Sequence, residues 1–284
     1  MPGLSFRFGT VGSPNSTPRS GSANAAAFMP TLGLSAIELG WVRSVRVLEQ
    51  TCVAIKSAAA DNGVALSVHA PYYINLNGDD EEWPRSRKRL MDAAHYGRLA
   101  GADYVVFHPG SYGGQAPDVV WPHVTSRLRG CVDELRAAGN PIMLRPETMG
   151  KQGQLGSLED CLQIARSIKG VQPCLDFAHL HARPGDGSLN SRQEWLEVLE
   201  RYEEALGSSA LQNLGCHLSG IEYGARGEKR HLVMAEADFE LEELFAALHE
   251  KGCGGRILSE SPIMEEDARL FKETWMRVSG ETEA

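Results

Sequence analysis

The chain has 284 residues, 42% of them hydrophobic, and a formal net charge of −9 at pH 7. This acidic balance argues against a generally basic nucleic-acid-binding face, although a local basic rim or a bound metal cluster can still receive phosphate. The six cysteines show no Cys-x-x-Cys spacing, so the sequence predicts neither a disulfide framework nor a cysteine zinc site. Because we find no signal peptide and no apolar run of about 18 residues, we expect a cytoplasmic protein without a membrane span. We infer no protein partner.

Short apolar segments alternate with longer amphipathic ones, an order typical of parallel βα units. Strands are predicted at residues 4–9, 36–39, 65–69, 104–108, 142–146, 171–176, 214–218 and 256–259. Helices are predicted where apolar residues recur every three or four positions, at residues 45–61, 87–100, 119–138, 158–168, 193–205, 239–251 and 265–278. Eight such units predict one domain, a single (β/α)8 TIM barrel over residues 1–284.

The ends of six successive predicted strands carry side chains that bind metal ions. They are His69, His108, Glu147, Asp176, His217 and Glu260, and His179 follows three residues after Asp176. The catalytic groups of such barrels converge at the carboxyl ends of the strands, so these side chains are expected to share one site. Nitrogen and carboxylate donors together suit zinc, with manganese or iron as alternatives. For each residue taken alone, a buried hydrogen bond is the competing explanation.

Four segments of the chain resemble motifs of the endonuclease IV family of abasic-site DNA repair enzymes. They are SVHAPYYINL at residues 67–76, FHPGS at 107–111, PETMGKQGQLG at 146–156 and CLDFAHLHARPGD at 174–186. His217, His231 and Glu260 match further ligand positions of that family, and the likeness extends over residues 67–262. The combination is specific, whereas any single segment is a weak signal.

The resemblance implies a zinc-dependent phosphodiesterase that acts on DNA containing abasic sites. Such enzymes hydrolyse the phosphodiester 5′ of the lesion with a metal-bound hydroxide. The resemblance implies two or three ions. The first would be held by His69, His108 and Glu147, and the second by Glu147, Asp176, His217 and Glu260. His179 and His231 would belong to the third. An aromatic residue of this family lies against the DNA at the lesion, which implies that role for Tyr72; packing over the barrel rim is the alternative.

The chain departs from the family pattern at two places. Where the family has Asp-x-His, this sequence has Lys229-Arg230-His231, and the adjacent Glu228 is expected to point elsewhere in an extended strand. We therefore expect two tightly held ions, with Lys229 as a substitute cation in catalysis or as an exposed surface lysine. The DNA-inserting second loop of the family is not recognisable, and residues 41–46 are expected either to replace it or to begin a helix.

Two other functions compete with DNA incision. Sugar isomerases and epimerases of the xylose-isomerase-like barrels hold one metal with Glu, Asp, His and Glu, a set that Glu147, Asp176, His217 and Glu260 match. In those enzymes carboxylates act as acid and base beside a carbonyl. The additional histidines favour the hydrolase, because an isomerase has little use for them. A metal-holding protein without catalysis is the third class.

Overall fold

A computed structural model of the chain describes residues 5–283. Its strands are β1 (Phe6–Val11), β2 (Ala36–Gly40), β3 (Ala65–His69), β4 (Tyr104–Phe107), β5 (Met143–Pro146), β6 (Cys174–Asp176), β7 (Leu214–Leu218), β8 (Gly220–Gly224), β9 (Gly227–Leu232) and β10 (Gly255–Ser259). All eight predicted strands are present within a few residues of their expected bounds. Leu4, with which the first prediction began, lies outside the described residues.

Eight of these strands form one parallel sheet in the order β5-β4-β3-β2-β1-β10-β7-β6. Two parallel bridges, Leu144–Val171 and Glu147–Cys174, join its two outer strands and close the barrel. The predicted eight-stranded TIM barrel is therefore confirmed. Its carboxyl-end rim carries the loops that follow each strand, which is where sites form in this architecture.

The helices are α1 (Ser22–Phe28), α2 (Glu49–Asp61), α3 (Glu82–Leu99), α4 (Pro117–Ala137), α5 (Leu158–Ser167), α6 (Phe177–Ala182), α7 (Arg192–Leu206), α8 (Leu241–Glu250) and α9 (Glu265–Ser279). Seven of them correspond to predicted helices, and α1 and α6 were not predicted. The helix expected from residue 45 begins only at Glu49, so residues 41–48 form a loop at the barrel rim. Within residues 5–283, no helix combines the length and apolarity needed to cross a membrane.

An antiparallel hairpin of β8 and β9 stands outside the barrel, between β7 and β10 in the chain. The sequence analysis did not predict it. Ala178 and Ala182 of α6 pack against Ile221 of β8, so the hairpin and this short helix form one unit above β6 and β7. The unit brings His179 of α6 and His231 of β9 to the same side of the barrel mouth.

All six cysteines are buried and free, as expected for reduced thiols. One large apolar cluster fills the barrel and the layer between the strands and the helices, and it includes Phe6, Phe8, Phe107, Leu175 and Trp275. Polar groups are buried mainly at the carboxyl end of the strands, where His69, Glu147, Asp176 and His217 are at most 1% exposed. This contrast locates the candidate site.

Candidate metal centre

The barrel brings the eight predicted ligands to one place. His69, Asp176 and His217 lie on barrel strands, His108, Glu147 and Glu260 directly follow strands, and His179 and His231 come from α6 and β9. Donor atoms lie within 4.8 Å of one another in three groups: His69, Glu147, His217 and Glu260; Glu147, Asp176 and His179; and His179, His231 and Glu260. The groups overlap, so the donors form a continuous cluster.

Glu147 is the centre of this cluster, and its two oxygens face different histidines. Oε2 lies 3.2 Å from His69 Nε2 and 3.2 Å from His108 Nε2. Oε1 lies 3.0 Å from His217 Nδ1. A carboxylate whose two oxygens are directed at two sets of nitrogen donors has the arrangement needed to bridge two ions.

Backbone carbonyls orient three of the histidines. The Nδ1 atoms of His69, His179 and His231 lie 2.9 Å from Ala70 O, 2.9 Å from Thr148 O and 3.2 Å from Glu260 O, respectively. If Nδ1 carries the proton in each ring, Nε2 keeps its lone pair and is available as a ligand. His179 Nε2 and His231 Nε2 lie 3.2 Å apart, so these two lone pairs are directed at the same region.

Glu38, in the middle of β2, supports His217 and was missed by the sequence analysis. It is fully buried; its Oε1 lies 3.0 Å from His217 Nε2, and its Oε2 accepts a hydrogen bond of 2.7 Å from the Ser67 hydroxyl. This contact is an ion pair without hydrogen-bond geometry, and the carboxylate behind the ring leaves Nδ1 as the nitrogen that faces Glu147. The available signal was one acidic residue inside the apolar strand sequence AIELG.

The donor set fits divalent metal ions. Asp176 Oδ2 is buried without a hydrogen-bond partner among the described residues, while Oδ1 accepts from the His179 backbone N–H at 2.6 Å. A buried carboxylate oxygen without a partner is costly unless a cation meets it. Together with Glu147, Glu260 and neutral imidazoles, this oxygen belongs to a mixed nitrogen and oxygen set that suits zinc, manganese or iron.

The charges in the metal-free cluster depend strongly on one another. Burial opposes ionisation of Glu147, but His217 and hydrogen bonds from His108 and His69 hold its pKa well below the usual range. For Asp176, burial is the dominant effect and raises the pKa. Burial disfavours the charged form of His69, yet its hydrogen bond to Glu147 raises its pKa to about 9. The imidazoles thus supply the positive charge that the carboxylates require when metal is absent.

Tyr72 lies over His69 and His108 of the cluster. Its ring centroid is 5.4 Å from that of His69 and 5.1 Å from that of His108, and the residue is 49% exposed. Burial, with nearby Glu260 and Glu147, raises the pKa of its hydroxyl to about 12. The exposed part of the ring borders the site entrance, so both the DNA-contact and the rim-packing interpretations stay open.

For Lys229 the hairpin agrees with the exposed-surface alternative, whereas the expectation for Glu228 needs correction. The Lys229 side chain is 57% exposed and its Nζ lies 3.3 Å from Glu222 Oε1, which directs it to the outer face of the hairpin. Glu228, which was expected to point elsewhere, is only 16% exposed and has Oε2 3.7 Å from His179 Nε2. Glu228 therefore lies beside His179, where the sequence predicted no carboxylate from the hairpin.

Two further observations concern individual side chains near the rim. Residues 41–46 do not begin a helix, and Arg43 and Arg46 are exposed in the loop after β2. His181 is fully buried, with Nε2 3.2 Å from Asp238 Oδ1 and Nδ1 2.9 Å from Ser188 O. These contacts assign His181 to packing between α6 and the loop that precedes α8.

Comparison with known proteins agrees with the motifs and the fold. A family described as a xylose isomerase-like TIM barrel matches residues 26–277. The chain is 35% identical over 269 residues to an uncharacterized protein of Methanocaldococcus jannaschii, covering 94% of this chain and 96% of that protein. It is 27% identical over 256 residues to Endonuclease 4 of Thermus thermophilus, covering 86% of this chain and 87% of that relative.

Solved structures show the same barrel. An endonuclease IV from Thermus thermophilus aligns with a TM-score of 0.71 at 22% identity, covering 95% of this chain and 99% of that one. A D-tagatose 3-epimerase-like protein aligns with a TM-score of 0.66 at 20% identity, covering 87% of this chain and 90% of that one. At these identities the structural likeness shows the fold alone, and function has to be argued from the site.

Proposed function

Because the chain belongs to the xylose isomerase-like TIM-barrel family, we propose that it is a metal-dependent phosphodiesterase that uses zinc. Its proposed reaction is hydrolysis of the phosphodiester 5′ of abasic sites in DNA. The similarity to Endonuclease 4 of Thermus thermophilus, over 86% of the chain, supports this choice within the family.

One observation carries the proposal: Glu147 faces two sets of histidines with its two oxygens. His69 and His108 meet Oε2, each at 3.2 Å, while His217 meets Oε1 at 3.0 Å. A barrel that held a single ion through Glu147, Asp176, His217 and Glu260 would not require the first pair. Two ions on either side of one carboxylate would suit phosphodiester hydrolysis, because the attacking oxygen of water and the leaving oxygen of the ester both need a positive partner.

Ions bound there would activate water and neutralise the developing charge on the phosphate. The protein's own residues contribute positioning. Backbone carbonyls fix the ring orientation of His69 and His179, Glu38 fixes that of His217, and the half-exposed ring of Tyr72 borders the entrance. A preorganised donor set of this kind avoids reorganisation during the reaction.

Sugar isomerisation is the second candidate, and a specific observation favours it. Glu147, His217 and Glu260 lie in one donor group, and Asp176 shares a second group with Glu147, so these four residues would supply one ion with carboxylates near a carbonyl substrate. The two functions differ in what they require of His108, whose side chain is 19% exposed at the rim. Only the hydrolase needs it as a ligand.

The test uses purified protein loaded with Zn²⁺ or Mn²⁺. A 5′-labelled duplex with one tetrahydrofuran abasic analogue is incubated with it, with and without chelator, and ketohexose epimerisation is followed in parallel. We expect incision on the 5′ side, its loss with chelator and its return when metal is restored. His108→Gln should lose one equivalent of metal and most incision. Epimerisation that survives in His108→Gln, with no incision by the unmodified protein, would identify a sugar isomerase, and inactivity in both assays would support the non-catalytic class.

A further inference from the structure

We infer that Glu228, positioned by a β-bulge at Lys229, completes a third metal position with His179 and His231. This inference deepens the proposed function and rests on the metal centre described above. It replaces the expectation that this part of the site lacks a carboxylate and depends on Lys229 for its charge.

The bulge changes which side chains of β9 share a face. In the pairing of the hairpin, Glu222 lies opposite Arg230 and Tyr223 lies opposite Glu228, so Lys229 is the extra residue. In a regular strand, residues three positions apart point to opposite faces, whereas one inserted residue reverses the alternation. Glu228 and His231 consequently lie on the same side. The bulge compensates for the lost Asp-x-His spacing.

Two glycines allow the hairpin to approach the barrel closely at this point. The Glu228 N–H donates to Gly150 O at 2.9 Å, and a bridge joins Lys151 to Gly227. A Cβ on Gly150 would lie 2.7 Å from Glu228 Cβ and 2.9 Å from its Oε2, and a Cβ on Gly227 would lie 2.1 Å from Gly150 O. Only glycine fits at either position. Because neither glycine has a side chain, there is space for the Glu228 carboxylate beside His179.

Ion pairs on the outer face occupy the two basic side chains of the bulge. Lys229 Nζ lies 3.3 Å from Glu222 Oε1, and Arg230 Nε lies 2.7 Å from Glu222 Oε2. Both basic side chains are thereby directed at Glu222. This leaves Glu228 as the charged residue of the segment that faces the histidines.

The donors have the chemistry of a zinc site, and the two separations measured from His179 are close to its spacing. His179 Nε2 lies 3.2 Å from His231 Nε2 and 3.7 Å from Glu228 Oε2. Zinc ligands at about 2.0–2.1 Å in tetrahedral geometry are about 3.3 Å apart, close to these separations. Two histidines and one carboxylate are a donor set of catalytic zinc, and Glu260, whose donor atom lies within 4.8 Å of both histidine donors, borders the same position.

The test counts metal, not turnover. The metal-free chain is loaded with Zn²⁺, dialysed against a moderate chelator and analysed by elemental mass spectrometry, with thermal melting as a check on folding. We expect three ions in the unmodified protein and in Lys229→Ala, and two in Glu228→Gln. Three retained ions in Glu228→Gln, or only two in the unmodified protein, would overturn the inference.

A double variant tests the bulge itself. In Glu228→Gln/Lys229→Asp, the new carboxylate should lie on the outer face and should not restore the third ion. Recovery of that ion would mean that residue 229 faces His231 in a regular strand, which contradicts the bulge. Because these counts do not depend on incision, the inference can fail while the phosphodiesterase proposal holds, or hold while that proposal fails.

Discussion

Glu147 is the single residue on which the candidate site depends most. Its buried carboxylate contacts His69, His108 and His217 within 3.2 Å. Replacing it with Gln keeps the shape of the side chain but removes the negative charge and one acceptor oxygen. We therefore expect Glu147→Gln to lose most bound metal and at least about 100-fold in incision, on the order of the loss seen when a key electrostatic partner is removed.

Metal content and turnover are measured on the same sample of Glu147→Gln. Glu273→Gln, an exposed glutamate of α9, is the matched control and should change neither quantity. Full metal occupancy in Glu147→Gln would show that this carboxylate does not bridge ions.

Tyr72 and Tyr73 form a natural pair for testing DNA contact. They are 49% and 61% exposed, but the Tyr72 ring lies over the histidine cluster, whereas the Tyr73 ring faces Arg89. Loss of base stacking costs about 1–3 kcal/mol. Tyr72→Ala should thus weaken affinity for an abasic duplex about 5- to 100-fold with little change in melting temperature, and Tyr73→Ala should change neither. If Tyr72→Ala lowers affinity and stability together, the ring has a packing role.

At the residue scale, the pattern of strand ends predicted the cluster but not all of its members. His69, Glu147, Asp176 and His217 could be predicted because each occupies the same place in a repeating βα unit. Glu38 was missed because it lies within its strand and not at the end. Glu228 was misjudged because its orientation depends on a bulge, and strand alternation alone does not reveal a bulge.

The element scale offers a test of stability that is independent of the site. Asp160 is a buried residue at the start of α5, and its carboxylate accepts hydrogen bonds from Tyr112, Trp121 and the Ser157 backbone at 2.5, 2.6 and 2.8 Å. Burial opposes its ionisation, but these donors lower its pKa below the ordinary value. The network fixes the loop after β4 against the first turn of α5.

A lowered folded-state pKa means that the stabilisation exists above the unfolded value, about 3.9, and is lost as pH falls through the folded value. We expect Asp160→Asn to reduce the free energy of unfolding at pH 7 by about 2 kcal/mol, typical of a charged buried acceptor. The difference from the unmodified protein should shrink below about pH 4. Urea unfolding at about pH 7 and about pH 3.5 measures it, with the exposed Asp133→Asn as control; a pH-independent difference would contradict the ionic role.

Elements that the sequence did not predict are short or depend on tertiary contacts. The helix α6 has only six residues, and it is stabilised by the Asp176 side chain that accepts from the His179 N–H. The hairpin is held by β9 contacts to Gly150 and by the packing of Ile221 on α6. Neither produces a long periodic pattern, whereas the long helices and the buried strands of the barrel do.

At the scale of the whole molecule, the fold was predictable because one unit repeats eight times. Each short apolar strand ends in a loop, and nearly every loop is followed by an amphipathic helix that covers the next strand pair. Closure between β5 and β6 depends on two isolated bridges, Leu144–Val171 and Glu147–Cys174, which no local pattern indicates. The barrel was predicted from the number of βα units, and not from any local feature of the two strands between which it closes.

The overall charge of −9 constrains how DNA would be bound under the proposed function. Arg127 of α4 and Arg183, directly after α6, donate to backbone carbonyls such as Leu76 O and Met149 O and so serve loop structure. Arg43 and Arg46 are exposed in the loop after β2. On the proposed function, phosphate is therefore bound mainly at the metal cluster, with a few side chains nearby.

Few phosphate contacts mean a weak dependence of DNA affinity on salt. With about three neutralised phosphates, affinity should fall about 40-fold between about 50 and 200 mM salt, whereas about eight contacts would cause a loss of about 10⁴-fold. Fluorescence anisotropy with a labelled abasic duplex measures this for the metal-loaded and the metal-free protein. We expect the metal-free form to bind at least tenfold more weakly, because the net negative charge then repels the DNA.

In Arg43→Ala, a decrease of the salt slope by about 0.9 would identify that residue as one phosphate contact. A steep slope that persists without metal would instead require a separate basic surface, and the metal cluster would then no longer explain DNA binding.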